Sequence, residues 1–393
     1  MAKAQRIAVV CPRFAEGGTV GGAETLLRAF AERLAAAGRQ VTFLTTCAQD
    51  HFTWKNVLPA GERRIGALTV NFFPVDEDRH VEQFAAVQSR ISNRVTVSPE
   101  EEQAWARNSV NSRALIAHLQ AHGSDYDRIV MGPYLFGLIL FAGQVHPAKT
   151  LLVPCLHDEP FAYLGVTRSL FSSVAGCLFN SEPEGDLACR LFDLTNKKNA
   201  VVGFGFDPFD VNPAGFAARR GLTRPYVIYC GRREGGKGIP LLLDYMRTFL
   251  DRTGRDMDLV FTGSGPIDAP DCLLPRIHDF GFVSEQDKHD AMAGAVTFIH
   301  PSVLESLGIV VLESFLAGTP ALVRRHCPVL LWQCRRSGAG LWFGNYPEFE
   351  EELLLLLDNE SLRRSLGARG REFVQREYAW SAIDRRLLEA IDA

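Results

Sequence analysis

The chain reads as an α/β protein made of two doubly wound, Rossmann-like halves. Three observations predict this. Short apolar runs alternate with amphipathic stretches along the whole sequence, the alternation is interrupted at 203–224, and glycine-dense turns follow several of the apolar runs. Strand-length apolar runs separated by helical patterns signal a parallel sheet covered by helices. At 393 residues the chain is long for one core and suits two domains of ordinary size.

In the first half, strands are expected at 7–11, 41–45, 68–73, 128–131, 150–154 and 176–180, with Val201 and Val202 as a last short one. Helix starts are marked by Ser98-Pro99-Glu100-Glu101, Ser181-Glu182-Pro183-Glu184 and Asn345-Tyr346-Pro347-Glu348. Each reads as a capping box with proline in the first turn. The segment 203–224 is rich in Gly, Pro, Phe and Arg and reads as the connection between the halves. Strands then follow at 226–230, 258–262, 278–280, 295–300, 320–323 and 340–343, and 371–393 carries a helical pattern broken near Tyr378-Ala379-Trp380.

Composition narrows the function. With 47% hydrophobic and 22% charged residues and a net charge of −4, the chain matches a soluble globular enzyme and lacks the basic balance of a nucleic-acid binder. Its nine cysteines form no CxxC pair, and Cys11, Cys155, Cys177 and Cys230 lie in or beside apolar strands. Buried reduced thiols and a cytoplasmic location are the expectation. Residues 6–11 enter a strand directly, with no leader pattern, and the longest apolar stretch outside the 300–323 region, 134–142, is too short to span a bilayer.

The most informative stretch is 300–323, HPSVLESLGIVVLESFLAGTPALV. It reads as the end of a strand, a loop, a helix over 308–317, a Gly318-Thr319-Pro320 stop and a second strand. In such a βαβ unit the loop holding Glu305 lies at a carboxyl strand end, where open α/β sheets bind ligands. The free N–H groups of the helix start suit an anion. Glu305 and Glu313 would stand roughly 12 Å apart if both lay on one helix. That is too far for a two-carboxylate retaining glycosidase, which needs about 5 Å, but it suits the two ends of an elongated ligand.

Further candidates sit at other strand ends. Gly231-Arg232-Arg233-Glu234-Gly235-Gly236-Lys237-Gly238 offers close backbone approach with a planar cation, Arg232, and a mobile one, Lys237. The 15–24 loop, AEGGTVGGAE, is not G-x-G-x-x-G, and 41–45 ends without the acidic residue that holds an NAD ribose, which disfavours a dehydrogenase. His157 follows the 150–154 strand beside Asp158 and Glu159. Three adjacent residues cannot all turn inward on one metal, so no metal site is expected there. Asp50, His51 and Trp54 lie in a polar-aromatic loop whose rings suit a sugar acceptor, with loop packing as the plainer account.

Together these motifs resemble family 4 glycosyltransferases over nearly the whole chain: Glu305 and Glu313 form E-x7-E, and Arg232 and Lys237 form G-R-x4-K-G. The resemblance implies the GT-B fold, two Rossmann-like doubly wound domains facing across a cleft. Residues 1–203 would form the acceptor side, with 377–393 crossing back onto it, and 204–376 would bind the donor. It implies that Glu305 faces the donor sugar and Glu313 the ribose. Arg232 and Lys237 would neutralise the diphosphate, and His157 would position the sugar. Gly21, Gly22, Gly231 and Gly263 would line the donor site, with Phe282 and Val283 on the base side. Ser306, Leu307, Gly308, Ile309 and Val310 would supply helix-start donors.

The implied reaction is retaining transfer of a hexosyl unit from a nucleoside-diphosphate sugar. The acceptor would be a glycan, a lipid-linked glycan or a small molecule, as in polysaccharide or glycolipid synthesis. No cofactor, essential metal or nucleic acid is implied, and peripheral attachment at the inner membrane face is compatible with a lipid-linked acceptor. Alternatives are a sugar phosphorylase or epimerase on the same fold, or a catalytically inactive nucleotide-binding regulator.

Overall fold

The computed structural model describes residues 4–16, 21–233 and 235–393. Residues 17–20 of the 15–24 loop and Glu234 of the basic loop therefore lie outside the described residues. The chain divides into two compact units, Met1–Gly203 with Ile383–Ala393, and Phe204–Ala382.

The first unit is built on an eight-stranded sheet. Its strands are β1 (Arg6–Val10), β2 (Gln40–Thr46), β3 (Gly61–Ile65), β4 (Leu68–Phe73), β5 (Arg128–Met131), β6 (Thr150–Leu152), β7 (Gly176–Phe179) and β8 (Ala200–Val201). They run in the order β3-β4-β2-β1-β5-β6-β7-β8, parallel except for β3, which pairs antiparallel with β4. The second unit holds a six-stranded, fully parallel sheet in the order β11-β10-β9-β12-β13-β14. These strands are β9 (Tyr226–Cys230), β10 (Asp258–Thr262), β11 (Ile277–Asp279), β12 (Phe298–His300), β13 (Ala321–Arg324) and β14 (Gly340–Phe343).

Helices on both faces explain why the strand sequences are so apolar. Every residue of β9 is buried, as expected for a parallel strand covered on two sides. In the second unit Val227, Phe261, Ile299, Leu322 and Phe343 of the sheet pack with Phe249 and Phe349 from the helices Ile239–Thr253 and Tyr346–Asp358. Strand order also fixes where a ligand belongs. In the second sheet the direction of winding reverses between β9 and β12, and the loops at their carboxyl ends flank that switch point.

The last helix, Trp380–Asp392, presents Ile383, Leu387 and Ile391 inward at helical spacing. Within the first unit Asp384 pairs with Arg33, Asp392 lies 2.7 Å from Arg39, and Arg128 Nε donates to the Ile391 carbonyl at 3.2 Å. The segment grouped with the first unit thus begins at Ile383, later than residue 377.

Three local expectations are corrected and one strand is added. The 203–224 connection contains a helix, Pro213–Arg220, capped by the Asn212 side chain; its glycine and proline content masks a proline at the first helical position. The charged segment Gly61–Ile65, which no apolar pattern announces, is an edge strand. Ser98–Glu101 is a reciprocal capping box. At the other two helix starts the cap is present, but the glutamate turns elsewhere: Glu348 accepts from Gly344 N–H and Glu184 from Asn180 N–H, both at 2.6 Å. Among the described residues no helix is long and apolar enough to cross a membrane, and all nine cysteines are unpaired.

Candidate active site

Glu305 lies in the loop after β12, ahead of the helix Ile309–Ala317, and Glu313 lies inside that helix. The two glutamates are therefore not on one helix, and they engage different cations. Glu305 Oε1 accepts from Lys237 Nζ at 2.6 Å and from His300 Nε2 at 2.9 Å. Burial penalises the charged carboxylate, but Lys237 and then His300 outweigh it and hold the carboxyl well below its usual range. An ionised carboxylate only accepts, so His300 carries its proton on Nε2; its Nδ1 is buried without a hydrogen-bond partner among the described residues.

The approach of Lys237 to Glu305 depends on Gly238. That residue sits at φ +74° as the N-cap of the helix Ile239–Thr253, and a Cβ there would come within 2.6 Å of the Pro301 carbonyl oxygen. Any side chain would be strained and would push the β9 loop away from the β12 loop. Arg232 is exposed on the same loop, its carbonyl held by the Tyr229 hydroxyl at 2.8 Å. Gly308 caps the helix Ile309–Ala317 without a side-chain acceptor. The helix-start N–H groups around Ile309 and Val310 are thus not consumed by a capping side chain, while Leu307 is buried and its carbonyl takes Gln333 at 3.3 Å. Ser306 is half-buried at the loop's end.

Glu313 is 8% exposed and accepts from Lys288 Nζ through Oε1 at 2.9 Å, leaving Oε2 unpartnered among the described residues. Burial pushes its carboxyl up against the pull of Lys288. The same pair is felt at Cys230, the last residue of β9, whose thiol burial raises to about 12. Glu313 is thus felt at the end of β9, and Glu305 pairs with Lys237 of the loop that follows it. Glu285, His289 and Glu313 bring ligand atoms within 4.8 Å of one another, a cluster no sequence spacing revealed. Lys288, 2.7 Å from Glu285 and 2.9 Å from Glu313, already fills the cationic position between the carboxylates.

In the loop after β10, Gly263 sits at φ +107° with its backbone against Gly231: a Cβ would meet the Gly231 oxygen at 2.2 Å. Phe282 is 69% exposed and Val283 half-buried in the loop after β11. Ser284 caps the helix Glu285–Ala293 through Asp287 N–H at 3.1 Å.

In the first unit Gly21 is the N-cap of the helix Gly22–Ala36, where a Cβ would collide with the Glu24 carboxylate. Glu24 is buried in a pair with Arg13, which also donates to the Gln49 carbonyl at 2.9 Å and lies over the Trp54 ring at 5.7 Å. Trp54 packs edge-on against Phe136 at 5.3 Å, and Asp50 accepts from Thr53 N–H at 2.7 Å. These two side chains serve the loop's own architecture, while His51 stacks on the exposed Phe52 at 3.9 Å.

His157 Nδ1 lies 3.5 Å from Glu159, whose carboxylate accepts from the buried Tyr134 hydroxyl at 2.9 Å. The preceding residue, Leu156, donates its N–H to Glu184 at 2.6 Å. Glu184 is 1% exposed and joins the loops after β6 and β7. Sequence reasoning missed Glu184, Tyr134, Arg233, Lys288 and His300 as site-forming residues, because each acts on a partner distant in the chain or reads locally as a cap or core residue.

Known proteins resemble this chain in sequence and in fold. Residues 216–373 match the family described as Glycosyl transferases group 1. An uncharacterised glycosyltransferase of Methanocaldococcus jannaschii is 26% identical over 222 residues, covering 51% of this chain and 55% of the relative. The chain spans about half or less of the length of the first curated relatives it matches, 55%, 32% and 46%. Sucrose-phosphate synthase from Thermosynechococcus elongatus superposes with a TM-score of 0.71 at 17% identity, covering 98% of each chain. HepE of Anabaena, solved in complex with UDP and glucose, gives 0.70 at 15% identity, covering 99% of each. The fold is thus the GT-B fold of these structural neighbours, and residues 216–373 of the second unit are similar to the group 1 glycosyl transferases.

Proposed function

We propose that the protein is a family 4 retaining glycosyltransferase that moves a hexosyl unit from a nucleoside-diphosphate sugar to a hydroxyl acceptor in glycoconjugate or polysaccharide synthesis. The observation that carries this reading is the Lys237–Glu305 pair at the switch point of the second sheet, beside a helix start with no capping side chain. Lys237, Arg232 and the N–H groups at Ile309 and Val310 form an anion site for a diphosphate, whose charge grows as the glycosidic bond breaks. The unpartnered Glu313 Oε2 suits a ribose hydroxyl, and the exposed Phe282 ring suits a base. Its neighbours' complexes with UDP make UDP-sugars the first donors to try.

Glu305 is occupied by Lys237 and His300 and Glu313 by Lys288, so neither carboxylate is free as the nucleophile that double displacement requires. We favour front-face substitution. The bond from C1 to the leaving phosphate oxygen breaks, the acceptor oxygen bonds C1 on the same face, and the phosphate oxygen takes the acceptor's proton.

A thermal-shift screen with UDP-, GDP-, ADP- and dTDP-sugars tests the donor. A donor at 100 times its Kd stabilises by about 2.7 kcal/mol, which corresponds to roughly 5–10 °C in Tm for a unit of this size. No shift with any sugar nucleotide overturns the reading, and an inverted anomeric product overturns the retaining assignment.

A further inference from the structure

Arg233 stands in sequence between Arg232 and Lys237, both assigned to the diphosphate, and ahead of the residues assigned to the base. It follows Arg232 in the loop after β9, yet its side chain is only 3% exposed. Nε donates to the Gly265 carbonyl at 2.7 Å, in the loop after β10. Nη2 donates to Asp279 Oδ2 at 3.0 Å, at the end of β11. Its backbone N–H donates to the Ser264 carbonyl at 2.7 Å, and its guanidinium lies 5.8 Å from the Phe261 ring centre.

Asp279 passes the restraint on. Its other oxygen, Oδ1, accepts Gly281 N–H at 3.0 Å, and the Gly281 carbonyl in turn accepts Gly263 N–H at 2.7 Å. Packing leaves no slack, since a Cβ on Gly265 would sit 3.0 Å from the Arg233 Cβ. The three strands β9, β10 and β11 are neighbours in the sheet, so one planar guanidinium braces three successive carboxyl-end loops. Nη1 remains buried without a hydrogen-bond partner among the described residues. An unspent donor inside an otherwise satisfied network marks a place where a ligand's acceptor has something to gain.

We infer that Arg233 is a positioning residue that couples the diphosphate loop to the two base-side loops, so that a nucleoside diphosphate is recognised as one unit. This rests on the donor-site reading above. Lysine cannot substitute, because its ammonium lacks the fork that reaches Gly265 and Asp279 in two directions at once.

The test compares UDP with inorganic pyrophosphate, titrated calorimetrically into the full chain and its R233A, R233K and D279A variants. UDP affinity falls at least tenfold in all three, pyrophosphate affinity stays within twofold, and the donor KM rises while kcat stays within twofold. UDP affinity within twofold of wild type in R233A and D279A overturns the inference. Equal losses for UDP and pyrophosphate also overturn it, because they mean the whole loop has collapsed. If R233A does not fold, D279A decides, since the Asp279 side chain is 40% exposed and its loss leaves no cavity. Wild-type protein that binds none of UDP, GDP, ADP and dTDP overturns the donor-site reading and this inference together; normal wild-type binding with unaffected variants overturns the inference alone.

Discussion

Replacing Glu305 with alanine lowers sugar transfer by roughly 10- to 150-fold, the equivalent of the ~1.5–3 kcal/mol in a charge-assisted contact. The effect follows from where the carboxylate sits. Its side chain is 14% exposed and it is the shared acceptor of Lys237 and His300. Its removal releases Lys237 from its position in the proposed donor site and strips a buried imidazole of its acceptor. Folding loses about 1–3 kcal/mol as well, held to that range because Lys237 at 25% exposure regains water. Glu305→Gln separates the two effects: it keeps an acceptor for His300 and discards the charge. The carboxyl's lowered folded value means its stabilising contribution is present above the ordinary glutamate range and is lost only as pH falls through the folded value. At neutral pH the contribution is complete. Steady-state rates and melting curves of both variants give the comparison, and transfer within twofold of wild type in Glu305→Ala would remove Glu305 from the site.

Glu184→Ala destabilises the first unit by about 2–6 kcal/mol, because two buried N–H groups lose their acceptor at roughly 1–3 kcal/mol each. The pH dependence is more diagnostic. Burial, opposed by the Asn180 and Leu156 N–H groups, raises the Glu184 carboxyl to about 7. A carboxyl raised on folding binds its proton more tightly in the native state. Its contribution is therefore most favourable at or below its unfolded value and declines as pH rises through about 7. Glu184→Gln has no such titration. Between pH 4 and 8 the stability of wild type relative to Glu184→Gln should fall by about 3 kcal/mol, at 1.4 kcal/mol per unit of displacement. Denaturant melts across that range measure it; parallel curves would mean that Glu184 does not titrate there. The loop bearing His157 hangs from Leu156 N–H, so transfer by Glu184→Ala should decline at temperatures where the protein remains folded.

The fold was legible where one strand needs one kind of residue. Tyr226–Cys230, Asp258–Thr262 and Gly340–Phe343 fall where the apolar pattern sets them, because burial on both faces leaves little else to encode. Gly61–Ile65 was not legible, since an edge strand can be charged and is paired on one side only. The helix Pro213–Arg220 was hidden by the glycine and proline around it. Site legibility divides in the same way. The E-x7-E spacing draws attention to Glu305 and Glu313, but Lys288 as the partner of Glu313 comes from another helix. Ser181-Glu182-Pro183-Glu184 has the spacing of a capping box, and only the fold reveals that Glu184 reaches Leu156, far back in the chain. Nothing in the sequence singles out Arg233, and its role becomes visible only where the fold brings Gly265 and Asp279 beside it.

On the proposed donor-site reading, the contact between Lys237 and Glu305 means that an arriving diphosphate meets an ammonium already held in place by a carboxylate. The loop is set before any ligand comes, and the pocket carries less net positive charge than its basic side chains alone suggest.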